Sequence, residues 1–283
     1  METNHHAAEI EPKGIGTLLR RWREARRLSQ FELGMEAEVS ARHISFLETG
    51  RAAPSREMLL TLSNVLDVPL RERNMLLLAA GFAPIYRETD LDDPRMTQVR
   101  AALELILRQH EPRSAFAFDR HWDLVMGNAA FVRFLTAVLG EPPRGMPPLR
   151  VTMAPRLNLL HLLFDPNGVR KVIVNWEPIA KSLLNQAYRM AAWARDDAMN
   201  ELLSAILSYP GVPANWRQPD LESPQALILP MELNLNGKIA KMFSTVTTLS
   251  TPQDVTLQEL HIEAFYPADE ATESLTATPL FAQ

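Results

Sequence analysis

The chain has 283 residues, 46% of them hydrophobic and 22% charged, enough apolar material for about two domains with packed cores. It has no cysteine, which excludes disulfides, thiolate metal sites and cysteine nucleophiles and suits a reducing compartment. The net charge of −5 is unevenly spread: residues 13–73 hold 11 Lys/Arg against 8 Asp/Glu, a mildly basic module joined to a remainder carrying −8.

The opening stretch METNHHAAEIEPKG is polar and does not read as a signal peptide. No apolar run nears the roughly 18 residues of a membrane span. A soluble cytoplasmic protein with no membrane association is therefore expected. A first helix is predicted over Ile15–Arg27, with Leu18, Leu19, Trp22 and Ala25 on one face. Ser29 and Glu32 have the spacing of a capping box opening a second helix, Gln30–Ala37. Ser40 caps a third, in which Ile44 and Leu47 point inward, and Gly50 suits the left-handed position after its end. Pro54 and Ser55 start a fourth helix with Met58, Leu59, Leu62 and Leu66 apolar, and a fifth follows near Arg71–Ala80. The second and third helices are short and separated by about three residues, which forces a sharp crossing. Gly34 supplies the small residue such a crossing needs, although glycine costs about 1 kcal/mol of helix propensity.

The stretch RRWREARRLSQFELGMEAEVSARHISFLETGRAAPS resembles the phage-repressor helix-turn-helix family over roughly Gly14–Leu70. The resemblance implies that the third helix enters the major groove of operator DNA and that Gln30 contacts phosphate. On that helix Ser40, Ala41, Arg42, Ser45 and Phe46 face outward. Arg42 has the fork that grips guanine for about 1–3 kcal/mol of discrimination. Ala41 and Phe46 could touch thymine methyls, or Phe46 could pack on its own protein. Arg51, just past the helix, is expected at a phosphate. The family pairs an arginine of the first helix with a glutamate ending the third, here Arg23 with Glu48, a scaffold contact. Relatives often turn through Ala-Gly-Val-Ser; this chain reads AEVS, with Glu38 at the glycine.

PIYRETDLDDPRM (84–96) is polar and proline-flanked, as a linker would be. Beyond it, RSAFAFDRHWDLVMGNAAFVRFLTAVLG predicts two strands around a turn at Asp119–His121, with Trp122, Leu124 and Met126 alternating, then Asn128 capping a helix. Asn236-Gly237 between alternating runs signals a hairpin, giving strands near 226–235, 238–250 and 257–266. The chain from Pro267 is polar and expected to fray.

This order resembles that of PAS-like domains. RHISFLETGRAAPSREMLLTL, LRERNMLLLAAGFAP, NWEPIAKSLL, YPGV and TPQDVTLQELHIEAFYPAD resemble the MmyB-like transcription regulators over residues 14–270. The fold implied is α+β: an N-terminal all-α five-helix repressor-type DNA-binding domain (14–83), a linker (84–96), a PAS-like ligand-binding domain with a five-stranded antiparallel sheet and helices (97–270), and a tail (271–283). The resemblance implies a small apolar ligand such as a fatty acid. A curved sheet under helices can leave a pocket lined by Phe116, Phe118, Trp122, Phe131, Phe134, Trp176, Trp193, Phe243 and Phe265, or these rings can simply fill the core.

No catalytic motif stands out. Asp196, Asp197 and Glu201 fit helix N-terminal acids better than a metal or acid–base set, and His161 fits a satisfied, partly buried residue. No enzyme, cofactor or metal site is expected. The partners expected are double-stranded, palindromic operator DNA, a second copy of the chain, and the apolar ligand. The alternative is a second domain that only dimerises or docks a protein partner.

Overall fold

Three serines fix where the first helices begin. In the computed structural model, which describes residues 14–140, 157–193, 196–216 and 228–276, Ser29, Ser40 and Ser55 each accept the backbone N–H three residues on. Glu32 reaches back to Ser29 N at 2.7 Å, completing the capping box. In chain order the first elements are α1 (Ile15–Ala25), α2 (Gln30–Glu36), α3 (Ala41–Glu48), α4 (Arg56–Val65), α5 (Leu70–Ala79) and α6 (Thr97–Gln109). Next come β1 (Ala115–Phe118), β2 (Leu124–Gly127), α7 (Ala129–Leu139), α8 (Leu159–Phe164), α9 (Trp176–Trp193) and α10 (Asp197–Leu207). The last are β3 (Met231–Leu235), β4 (Lys238–Thr248), α11 (Val255–Gln258), β5 (His261–Pro267) and α12 (Glu270–Thr276). The chain forms two compact units, one running to Glu88 with Pro252–Gln258 added, the other taking Thr89–Thr251 and the chain from Glu259.

In the first unit Leu19, Trp22, Leu33, Ile44, Leu47, Leu59, Leu62 and Leu66 close one core. The α2–α3 crossing depends on Gly34, where a Cβ would stand 2.5 Å from the carbonyl oxygen of Val39. Gly50 takes a φ of +73° after α3, and Glu38 takes +56° in the turn, a left-handed conformation glycine adopts without cost and glutamate does not. Pro69 gives α5 no side-chain cap. The amide oxygen of Gln258 does so from far along the chain, accepting Leu70 N at 2.6 Å. Val255 is buried beside it and donates its N–H to the Arg87 carbonyl at 2.8 Å. The chain after Phe82 is likewise held: Asn74 accepts from the backbones of Ile85 and Tyr86 and donates to the Tyr86 carbonyl.

In the second unit one antiparallel sheet has the order β2-β1-β5-β4-β3. Asn236 and Gly237 both take positive φ, the geometry a two-residue hairpin between β3 and β4 demands. Asn128 is fully buried; its Oδ1 accepts Phe131 N and Ala115 N, and its Nδ2 donates to Leu107 O and Arg113 O, so one side chain caps α7 and ties it to β1. Leu103 and Leu107 of α6 pack with Ala115, Ala117, Met126 and Ile262 on one face of the sheet. Phe116, Phe118, Leu233, Ala240 and Met242 turn to the other face, with residues of α7–α10.

Three expectations are corrected here. Trp122 is not a strand residue: its φ is +65°, it closes the turn by donating its N–H to Asp119 O, and β2 begins only at Leu124. The chain past Pro267 does not fray at once but forms α12, with Thr272 and Thr276 buried and Thr272 Oγ1 accepting Lys241 N at 2.9 Å. The last strand starts at His261 rather than near 257, because Val255–Gln258 is helical.

Candidate functional site

The first candidate surface is the face of α3 opposite Ile44 and Leu47, which are buried. Ser40 is spent partly as the cap, its Oγ accepting His43 N at 3.2 Å. Arg42 and Arg51 are exposed, and their guanidinium carbons lie 5.2 Å and 5.9 Å from the centroid of the same ring, Phe46. Phe46, partly exposed, therefore steadies two cations at the outer surface by cation–π contact. Ala41 and Ser45 lie partly exposed on the same helix.

Behind α3 stands the pair read from the sequence. Arg23 donates from Nε to Glu48 Oε1 at 2.6 Å and from Nη2 to Oε2 at 2.9 Å, and from Nη1 to the Leu28 carbonyl. Both side chains are nearly buried. Gln30 belongs to this network too, donating to Glu48 Oε2 at 2.9 Å. Its amide group is thus held at the N-terminus of α2 by the end of α3.

The second candidate is a cavity in the second unit with about 1130 Å³ of empty space, its open mouth included. The walls are mostly apolar: Phe116, Trp122, Phe131, Phe134 and Phe265 of the expected set, with Leu and Met side chains from α7, α8, β3 and β4. Phe116 is the hub of the aromatic wall, 4.5 Å from Phe131 and 5.9 Å from Phe265 between ring centroids.

Three expected rings are elsewhere. Phe118 is fully buried between Trp122, stacked at 5.1 Å, and His261 at 5.2 Å. Trp176 donates Nε1–H to the Leu163 carbonyl and lies between Phe164 and the Arg170 guanidinium, whose carbon is 3.6 Å from the ring centroid. Phe243 stacks on Tyr266 across the strand pair. Its neighbour Met242 faces the cavity, so the pleat turns Phe243 to the opposite side. Trp193 ends α9, and its side chain lies outside the described residues.

Three charged walls were missed. Arg113 and Arg133 border the cavity, each with a carboxylate partner: Arg133 Nη2 to Glu111 Oε2 at 3.0 Å, and Arg113 Nη2 to Glu273 Oε1 at 3.6 Å. Arg113 Nε is buried with no hydrogen-bond partner among the described residues. Glu263 is the third, on the central strand β5. Burial pushes its carboxyl up from the usual glutamate range, and a hydrogen bond with the Ser244 side chain works the other way. Arg133 was legible as the lone charge of α7, AAFVRFLTAVL. Glu263 was legible from HIEAFYP, where alternation sets it on the side of Phe265.

Of the acids weighed for chemistry, Asp196 has structural partners. Asp196 caps α10, accepting Ala198 N and Met199 N, and holds His121 Nε2 at 2.6 Å and Arg120 Nη2 at 2.9 Å. Burial opposes its ionisation, but the His121 hydrogen bond and the Arg120 charge outweigh that and hold its carboxyl low. His161 Nδ1 shares a 2.9 Å hydrogen bond with the Tyr209 hydroxyl. Among the described residues no group of three His, Asp or Glu is placed to hold a metal ion, and no helix is long and apolar enough to cross a membrane.

A helix-turn-helix module and a domain with an apolar cavity, carried on one chain, define a class: transcription regulators that join a DNA-binding domain to a ligand-binding domain. Residues 15–76 match the family described as helix-turn-helix domain, and residues 99–277 match the family described as MmyB-like transcription regulator ligand binding domain. The chain belongs to the MmyB-like transcription regulators. No curated protein matches it at a significant level.

Proposed function

We propose that this regulator reads a palindromic operator as a homodimer through α3 and that a small apolar ligand with an acidic head, such as a fatty acid, sets its affinity for that operator. The observation that carries the ligand reading is the cavity's make-up, an aromatic and aliphatic body with Arg113 and Arg133 at its wall. The apolar body would take a hydrocarbon chain. The guanidiniums, one with an unpartnered Nε, would take a carboxylate.

At the DNA, Arg42 reads a base edge, Ala41 and Phe46 meet thymine methyls, Ser40 and Ser45 lie against the groove wall, and Arg51 and Gln30 hold phosphates. The dimer would place two such helices about one turn of B-DNA apart. The protein would act in the cytoplasm, with its DNA. Coupling has a covalent route: β4 and β5, which contribute Met242 and Phe265 to the cavity, are joined through Pro252–Gln258, a segment of the first unit.

The test is selection of bound duplexes from a random pool, followed by titration of the selected DNA with and without saturated fatty acids of graded chain length. The reading expects a palindromic consensus and an affinity that changes on adding acid. Equal affinity at every chain length would reject ligand control, and the absence of any consensus would reject the DNA assignment.

A further inference from the structure

The proposed acidic-headed ligand accounts for Arg113 and Arg133 but leaves Glu263 without a task. This carboxyl sits on the central strand, directly across from Phe116 of β1 and Val246 of β4. It lines the cavity among mostly apolar side chains. Among the described residues it has no arginine or lysine partner. A cavity meant only for a hydrocarbon chain would be better lined there by leucine, because an unpaired carboxyl among apolar groups costs free energy.

A second group points the same way. Trp122, also a wall and 2% exposed, buries its indole N–H with no acceptor among the described residues. Trp122 stacks on Phe118, the next inward-facing residue along β1 after Phe116. Glu263 and Trp122 thus follow each other along one wall. Ser114, whose carbonyl accepts Phe265 N at 3.1 Å, marks the Arg113 end of that wall. Glu263 lies two residues further along the ladder, a step of roughly 7 Å.

We propose that the cavity reads an oxygen atom partway along the ligand chain, with Glu263 as the specificity-determining residue, so that the preferred ligand is a hydroxy or oxo acyl acid and not a plain one. The inference rests on the acidic-headed ligand proposed above. Burial shifts the Glu263 carboxyl towards its protonated form, which both donates and accepts and so suits a hydroxyl or a carbonyl alike.

The experiment is calorimetric titration of the full chain with dodecanoic acid and with hydroxydodecanoic acids bearing the hydroxyl at successive carbons. One or two positional isomers should bind roughly ten-fold tighter than dodecanoic acid, the worth of one good hydrogen bond in a dry site. Glu263→Leu should abolish that preference, so that the isomers bind alike, and Glu263→Gln, which keeps a donor and an acceptor, should preserve much of it. Equal binding of all isomers by the unsubstituted protein overturns the proposal while leaving the acidic-headed ligand standing, and needs no variant to fold. Preference surviving in Glu263→Leu overturns the assignment to this residue. Failure of every acid to bind overturns the acidic-headed ligand and this proposal together.

Discussion

Replacing Glu38 with glycine should make the first unit more stable, and the amount follows from one dihedral angle. Glu38 holds a φ of +56° in the turn between α2 and α3, where an L-residue with a Cβ bears about 1–2 kcal/mol of strain. Glycine removes that strain but adds freedom to the unfolded chain, worth about 0.4–1 kcal/mol in the opposite direction. The net gain expected is about 1 kcal/mol. Because Glu38 is exposed, no packing is lost in the exchange. Glu38→Ala is the control: it removes the carboxylate and keeps the strained backbone, so it should leave stability nearly unchanged. Urea unfolding of the three full-length proteins, followed by circular dichroism, reads the difference as a shifted midpoint at constant slope. Were the glycine variant no more stable than the alanine variant, the strain argument would be refuted. Operator affinity separates the charge: both variants remove a carboxylate from beside the proposed phosphate path and should bind more tightly to a similar degree.

Three further outcomes follow. Glu48→Ala leaves the Arg23 guanidinium nearly buried without its carboxylate and should cost about 3–5 kcal/mol, read by urea unfolding; a loss under 1 kcal/mol would mean the pair is not the scaffold. Gln258→Ala uncaps α5 at Leu70 N and should cost about 1 kcal/mol, seen as faster amide exchange in the first turn of α5. Glu263→Gln should flatten the pH dependence of stability. The folded-state value of Glu263 is raised, so its contribution is whole below the ordinary glutamate range and is lost as pH rises through the folded value. Glutamine carries no such proton, so its melting temperature relative to the unsubstituted chain should climb with pH above that range; a constant offset would contradict the assignment.

The parts of the fold that were readable in the sequence are those fixed within a few residues. Ser29, Ser40 and Ser55 start helices because a side-chain oxygen satisfies an amide three residues on. Asn236-Gly237 turns a hairpin because both residues tolerate positive φ. Arg23–Glu48 was available only through the family resemblance, since its partners are far apart in sequence and its geometry depends on the α1–α3 packing.

What escaped was set by distant burial. The local mark of the Val255–Gln258 helix is slight, Asp254 Oδ1 accepting Thr256 N at 3.0 Å ahead of a stretch that alternates like a strand; Arg87 and Leu70 hold it in place. Trp122 reads as a strand residue until the turn bonds of Asp119 fix it at positive φ. Phe243 was assigned to the cavity by its chemistry, but the pleat gives that face to Met242 and Ala240. The aromatic residues of the cavity wall were in part foreseeable. Its polar groups were passed over because a single charge in an apolar run also suits a strand or helix edge.

The base preference of Arg42→Ala tests the central claim most directly. Measured on the selected operator and on duplexes changed at each position in turn, this variant should lose about 1–3 kcal/mol of discrimination at one position in each half-site, while Arg51→Ala weakens every duplex by the same factor. If instead Arg42→Ala keeps the full preference at every position, or the two variants cannot be told apart, α3 does not read DNA through the face assigned to it.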